Sequence, residues 1–148
     1  MSNFAFLQAE SPLQLEAASK AEGLVHADAR AACFYARRTL ELAVSWLYKH
    51  EPTLKLPYQD HLSALLHEPT FRATVGIAVF NKAKVIKELG NLAVHSTRKV
   101  SPNDALTAAR ELFHICYWLA RTYGRMARPD PALTFVPALV PQPAAPVS

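Results

Sequence analysis

Residues 82–99, KAKVIKELGNLAVHSTRK, constrain the fold of this chain more than any other stretch, because they read as one two-faced helix. Val79, Ala83, Ile86, Leu89 and Ala93 recur at helical spacing and make an apolar stripe that requires a core. Lys84, Glu88, Asn91, His95 and Arg98 step by four, three, four and three, which predicts a continuous polar stripe beside it. Asn91 and His95 are one turn apart on that stripe and can touch the same partner. Gly90 sits mid-helix, where it costs roughly 1 kcal/mol against alanine. A second helix backbone passing close by would account for it, and the helix of residues 28–50 is the expected neighbour.

Four further helices are expected around this one. Ser11-Pro12 reads as an N-cap with proline at the first helical position, opening a helix that carries Leu13, Leu15, Ala18, Ala21 and Leu24 inward and stops near Val25. Phe4, Phe6 and Leu7 before it predict an N-terminal arm tucked onto the core. Asp28 caps a long helix to about His50, with Cys33, Ala36, Leu40, Ala43, Val44 and Leu47 facing in. Asp60 is expected to cap a short helix over residues 61–67, broken by Pro69, and Gly76 separates the following turns from the 82–99 helix. Ser101-Pro102-Asn103-Asp104 combines an N-cap, an N1 proline and an acid in capping-box position, so a helix runs from there to about Arg125. No strand pattern and no internal repeat is visible. The fold class is all-α, a helical bundle.

From Pro129 the composition changes, with six prolines in the last twenty residues. Proline at that density excludes helix and predicts extended chain or linker. The division that follows is a helical domain over residues 1–128 and a Pro-rich linker over 129–148.

At 148 residues and 51% hydrophobic, the chain can bury a real core as one domain. No stretch approaches the roughly 18 apolar residues of a membrane span, and MSNFAFLQAESP lacks the basic start of a signal peptide, so no membrane partner is expected. Cys33 and Cys116 stand far apart without a C-x-x-C motif and read as buried thiols of a reduced, cytoplasmic protein. Four glycines, in neither a G-x-x-x-x-G-K-[ST] nor a G-x-G-x-x-G pattern, exclude phosphate loops of those kinds. A net charge of +4 permits a nucleic-acid partner without demanding one.

Asn91 with His95 is the best candidate for chemistry: imidazole titrates near physiological pH, and an asparagine one turn back holds a substrate or orients the ring. The competing structural reading has both residues bracing the fold through hydrogen bonds, with Glu41 or an arginine as partner. Arg37, Arg38 and Glu41 lie at i,i+4 and i,i+3 spacing on a central helix and read as an internal ion-pair network, with a phosphate site as the alternative. Together with Asn91 and His95 they form the expected polar cluster. Lys84, Lys87, Arg98 and Lys99 beside His95 are the expected nucleic-acid contacts, weak and salt-sensitive. His26, His50, His61, His67 and His114 show no ligand spacing, so no metal is expected.

The runs AACFYARRTLELAVSWLYKH, LPYQDHLSALLHEPTF, KELGNLAVHS and ARELFHICYWLARTYGR resemble the helical domain at the N-terminus of bacterial type I restriction enzyme R subunits, which also fronts related DEAD/DEAH-box helicases. The resemblance covers about residues 2–137. It implies a non-catalytic accessory domain for assembly or nucleic-acid contact, ahead of a DNA-translocating motor and a nuclease. ATP and magnesium would then belong to that parent motor, with no cofactor in these 148 residues, and other subunits of a restriction complex would be partners. The domain is similar as well to the HEPN superfamily, many of whose members are ribonucleases using an arginine, a polar residue and a histidine on one helix. Asn91 and His95 match the last two. Gly90 stands where the arginine would be, which speaks against a metal-independent ribonuclease unless Lys87, Arg37 or Arg38 replaces it in space. A stand-alone module that pairs as a homodimer is the remaining alternative.

Overall fold

A computed structural model describes residues 2–126 and 128–143. Five helices, α1 (Pro12–Leu24), α2 (Ala29–His50), α3 (Leu62–His67), α4 (Pro69–His95) and α5 (Pro102–Tyr123), build an all-α bundle, and the described residues contain no strand. Helix α2 is the hub, packing against α1, α4 and α5. Its sequence explains this: Ala32, Cys33, Ala36, Leu40, Ala43, Val44 and Leu47 are buried, and the small side chains of the alanines and Cys33 let neighbouring helices approach closely. Asp28 starts the helix by accepting the Ala31 N–H at 3.1 Å.

Helix α5 begins as its sequence dictates. Ser101 Oγ accepts from the Asp104 N–H at 3.0 Å and Asp104 Oδ2 accepts from the Ser101 N–H at 3.2 Å, a reciprocal capping box closed over Pro102. Both cysteines are free and buried; burial pushes the Cys33 thiol up to about 11 and Cys116 up to about 12, so both are held as inert thiols.

Helix α4 is two limbs. Gly76 takes φ 87°, ψ 163°, a left-handed conformation open to glycine, and breaks the helical path between Val75 and Ile77. The limb carrying the polar stripe therefore starts at Ile77, ahead of Lys82, and it ends at His95. Ser96 is already extended, so Arg98 and Lys99 stand in the following loop and do not continue the stripe. The reason is Arg30 on α2. Its Nη1 donates to the carbonyls of Leu92 (3.3 Å), Ala93 (2.6 Å) and Ser96 (3.0 Å), and its Nη2 donates to that of Arg98. A cation thus satisfies the orphaned carbonyls at the helix end and shapes the loop beyond it.

Three local expectations are corrected. In α1 the inward face is rotated: Leu13 is 68% exposed, while Gln14, Ala17, Ala18, Ala21 and Glu22 are buried. Glu22 is buried because it anchors the N-terminal arm, accepting from Ser2 Oγ (2.7 Å), the Asn3 N–H (3.1 Å) and Asn3 Nδ2 (2.8 Å). His61, not Asp60, caps α3, its Nδ1 accepting the Ala64 N–H at 3.2 Å. The segment after Pro129 is extended, as its prolines require, yet Phe135, Val136 and Val140 return to the bundle instead of leading away from it. The end of the expected linker, residues 144–148, lies outside the described residues.

Candidate functional site

Helices α2 and α4 run antiparallel, since Arg30 reaches Ala93 while Arg37, two turns on, reaches Asn91. They cross at Gly90, which is buried. A Cβ on Gly90 would lie 2.6 Å from Arg37 Cβ and 2.8 Å from Arg37 Cδ. The missing side chain is therefore the bed on which the Arg37 stem lies, and the expected close crossing against α2 is present.

That bed aims the guanidinium along α4. Arg37 Nη1 donates to Asn91 Oδ1 at 2.5 Å, and Arg37 Nε stands 3.4 Å from Glu41 Oε1. Nε is buried without an aligned acceptor, so Glu41 acts on it as a charge more than as a hydrogen-bond partner. Arg38 Nη1 meets the other carboxylate oxygen of Glu41 at 3.5 Å. Arg37, Arg38, Glu41 and Asn91 come together as the sequence suggested. Because guanidinium only donates, Asn91 must turn its carbonyl oxygen toward Arg37, which leaves both Nδ2 hydrogens pointing elsewhere. Among the described residues, neither Asn91 Nδ2 nor Arg37 Nη2 has an acceptor. The carboxylate of the cluster is Glu41, shared by Arg37 and Arg38.

His95 departs from the bracing role. It is exposed, and among the described residues its ring makes no hydrogen bond, although it stands one turn past Asn91 on the same helix. Helix α4 ends there, so no later turn covers the ring. Lys84 and Lys87 are half-buried on the same limb, with Lys84 Nζ 5.5 Å from the centre of the Phe80 ring; Arg98 and Lys99 are exposed in the loop that Arg30 holds.

Two groups escaped the sequence reading. Arg30 lies seven residues before Arg37, hence on the same face of α2, and that spacing was its available signal. The second is a contact between α4 and α5: Lys82 Nζ donates to Glu111 Oε2 (2.8 Å) and to His114 Nδ1 (3.1 Å). Burial alone would raise the Glu111 carboxyl, but the Lys82 hydrogen bond and charge hold it below its ordinary value. Burial and then the Lys82 charge hold His114 below its ordinary value. Nothing in the local sequence pairs residues 29 and 32 positions apart, so this triad had no signal. No group of three or more histidine, cysteine or acidic side chains among the described residues is arranged to hold a metal ion.

A family model described as a domain of unknown function (DUF4145) matches residues 19–134, most of the chain. The chain belongs to this family. The matched residues contain the whole α2–α4 crossing, from Arg30 to Lys99. Comparison with curated proteins and with solved structures gives no match. No helix of the described residues is long and apolar enough to cross a membrane.

Proposed function

We propose that this protein is a non-catalytic accessory domain that contacts nucleic-acid phosphates through the α2–α4 crossing. The observation that carries the reading is the donor set itself: Arg37 laid over Gly90 and bonded to Asn91 Oδ1, with Arg37 Nη2 and Asn91 Nδ2 left to donate. Lys84 and Lys87 on α4, and Arg98 and Lys99 in the loop beyond it, extend positive charge on both sides. Phosphate oxygens are the acceptors such a surface suits, with binding that weakens as salt rises. Together with the resemblance to the N-terminal domain of type I restriction enzyme R subunits, this supports a cytoplasmic role ahead of an ATP- and magnesium-dependent DNA motor. There the domain serves assembly with other subunits or guides the nucleic acid. Reading the gene beyond the Ser148 codon tests the parent: a Walker A lysine and a D-E-x-H-type box are expected. Fluorescence anisotropy with short labelled DNA and RNA at low salt tests the contact. Weak binding is expected that charge reversal at Lys84 and Lys87 reduces, and binding unchanged by that reversal moves the domain's role to protein contacts, a homodimer included.

One observation favours a second reading. The cation absent at Gly90 is present in space as Arg37, so Arg37, Asn91 and His95 together hold the groups of a metal-independent ribonuclease. Against it, Glu41 faces Arg37 and Arg38 both, and offsets the charge a phosphate transition state would need. Incubating the protein with mixed single-stranded RNA separates the two: no cleavage is expected, and cleavage lost in a folded His95→Ala variant establishes the enzyme.

A further inference from the structure

Phe34 is 47% exposed on α2 and Val94 is 50% exposed on α4. Phe34 lies one turn from Arg30 on one side and one turn from Arg37 and Arg38 on the other. Those flanking arginines fix the register of the crossing: Arg30 holds the Leu92–Arg98 end of α4, and Arg37 holds Asn91. Val94 falls between the same two anchor points. An exposed aromatic ring and an exposed aliphatic side chain thus lie on the two helices of the crossing, with Arg30, Arg37 and Arg38 one turn from the ring. Among the nearby acids, Glu41 is already shared by two arginines.

A duplex offers phosphates to such a surface but keeps its base faces stacked on one another. A single strand offers both, and a base laid on an aromatic ring beside a phosphate-binding arginine is the arrangement that sequence-tolerant single-strand binders use. The geometry points to single-stranded nucleic acid as the ligand of the α2–α4 crossing, with Phe34 as the platform for one base while Arg37, Asn91 and Lys87 take the adjoining phosphates. The inference rests on the phosphate-contact reading above and narrows it to one ligand class.

The test is anisotropy with four labelled probes of equal length: single-stranded DNA, single-stranded RNA, duplex DNA, and an abasic strand of the same phosphates. At low salt the single strands are expected to bind more tightly than the duplex. Phe34→Ala is expected to weaken single-strand binding about tenfold, with Phe34→Trp retaining it. Neither substitution should alter binding of the abasic strand or the duplex, since both keep the phosphate contacts. Phe34 is an exposed helix residue, so a circular dichroism melt is expected to show both variants folded. Equal affinity for duplex and single strand, or a Phe34→Ala variant that binds single strands like the parent, overturns the single-strand assignment and leaves the phosphate contact standing. Absence of binding to every probe at low salt overturns both.

Discussion

At the scale of single residues, the centre of this protein is an atom that is missing. Glycine at position 90 is unfavourable for a helix by roughly 1 kcal/mol, and that local cost is the sequence's own sign of a crossing. The neighbour is Arg37, whose Cβ and Cδ fall 2.6 Å and 2.8 Å from where a Gly90 side chain would begin. The nearer atom belongs to the root of the side chain, so rotation of the arginine alone does not make room. Gly90→Leu is therefore expected to destabilise the fold by about 1–3 kcal/mol through overpacking, outweighing the helix propensity gained. The corresponding fall in Tm is about 2–4 °C per kcal/mol for a domain of this size. A melt in which Gly90→Leu unfolds at or above the parent's Tm rules out the crossing. Arg37, Glu41 and Asn91 were legible as a cluster because i,i+4 spacing and the cost of charge on a central helix both flagged them. The exposure of His95 was not, because it depends on where α4 stops, and a side chain 65 positions earlier, Arg30, sets that point.

At the scale of elements, the helix ends that carry their own chemistry were readable and those capped from afar were not. Ser101 and Asp104 close a box within four residues, and Asp28 caps its own helix, so α5 and α2 start where the sequence says. Helix α4 is bent by Gly76 and terminated by Arg30, and α1 turns a glutamate inward because the N-terminal arm supplies three donors to it. The seam between α4 and α5 has the same long-range character and a measurable consequence. His114 accepts a hydrogen bond from Lys82 through Nδ1, which requires the neutral ring, and burial together with the Lys82 charge lowers its proton affinity below the ordinary value of 6.5. The unfolded chain then binds a proton there more readily than the folded one. Stability from this seam is full above about pH 6.5 and is lost as pH falls through the lowered folded value. Glu111, held low by Lys82, adds a loss in the same direction at more acidic pH. His114→Gln keeps an acceptor for Lys82 without the titration, so its Tm is expected to fall less than the parent's between pH 7 and pH 5.5. Parallel Tm curves for the two proteins over that interval overturn the assignment.

At the scale of the whole molecule, the two ends of the described chain meet. Asn3 Nδ2 donates to the Val136 carbonyl at 3.0 Å and the Val136 N–H donates to Asn3 Oδ1 at 2.8 Å, a two-way pairing across almost the full length of the sequence. Glu22 fixes Asn3 from the other side, so arm, α1 and tail form one clasp. Phe135 packs on Phe113 of α5 with ring centres 5.7 Å apart, and Val140 is 1% exposed. Proline content alone reads this segment as a tether, because proline reports what backbone a segment cannot form and says nothing of what its apolar side chains cover. Phe135 and Val140 are the side chains that the proline count hides. Burying a valine contributes about 1.5–3 kcal/mol, and Phe135 adds to that, so the segment is part of the folded body at least to Val140. Removing residues 129–148 is expected to lower Tm by several degrees, and Val140→Asp, which forces a charge into the same place, is expected to act in the same direction without shortening the chain. The donor cluster at the α2–α4 crossing involves none of these residues, so nucleic-acid binding by either variant, measured well below its Tm, is expected to match the parent. A tether would tolerate both changes; unchanged Tm in the truncated and the Val140→Asp proteins would show that the clasp carries no stability.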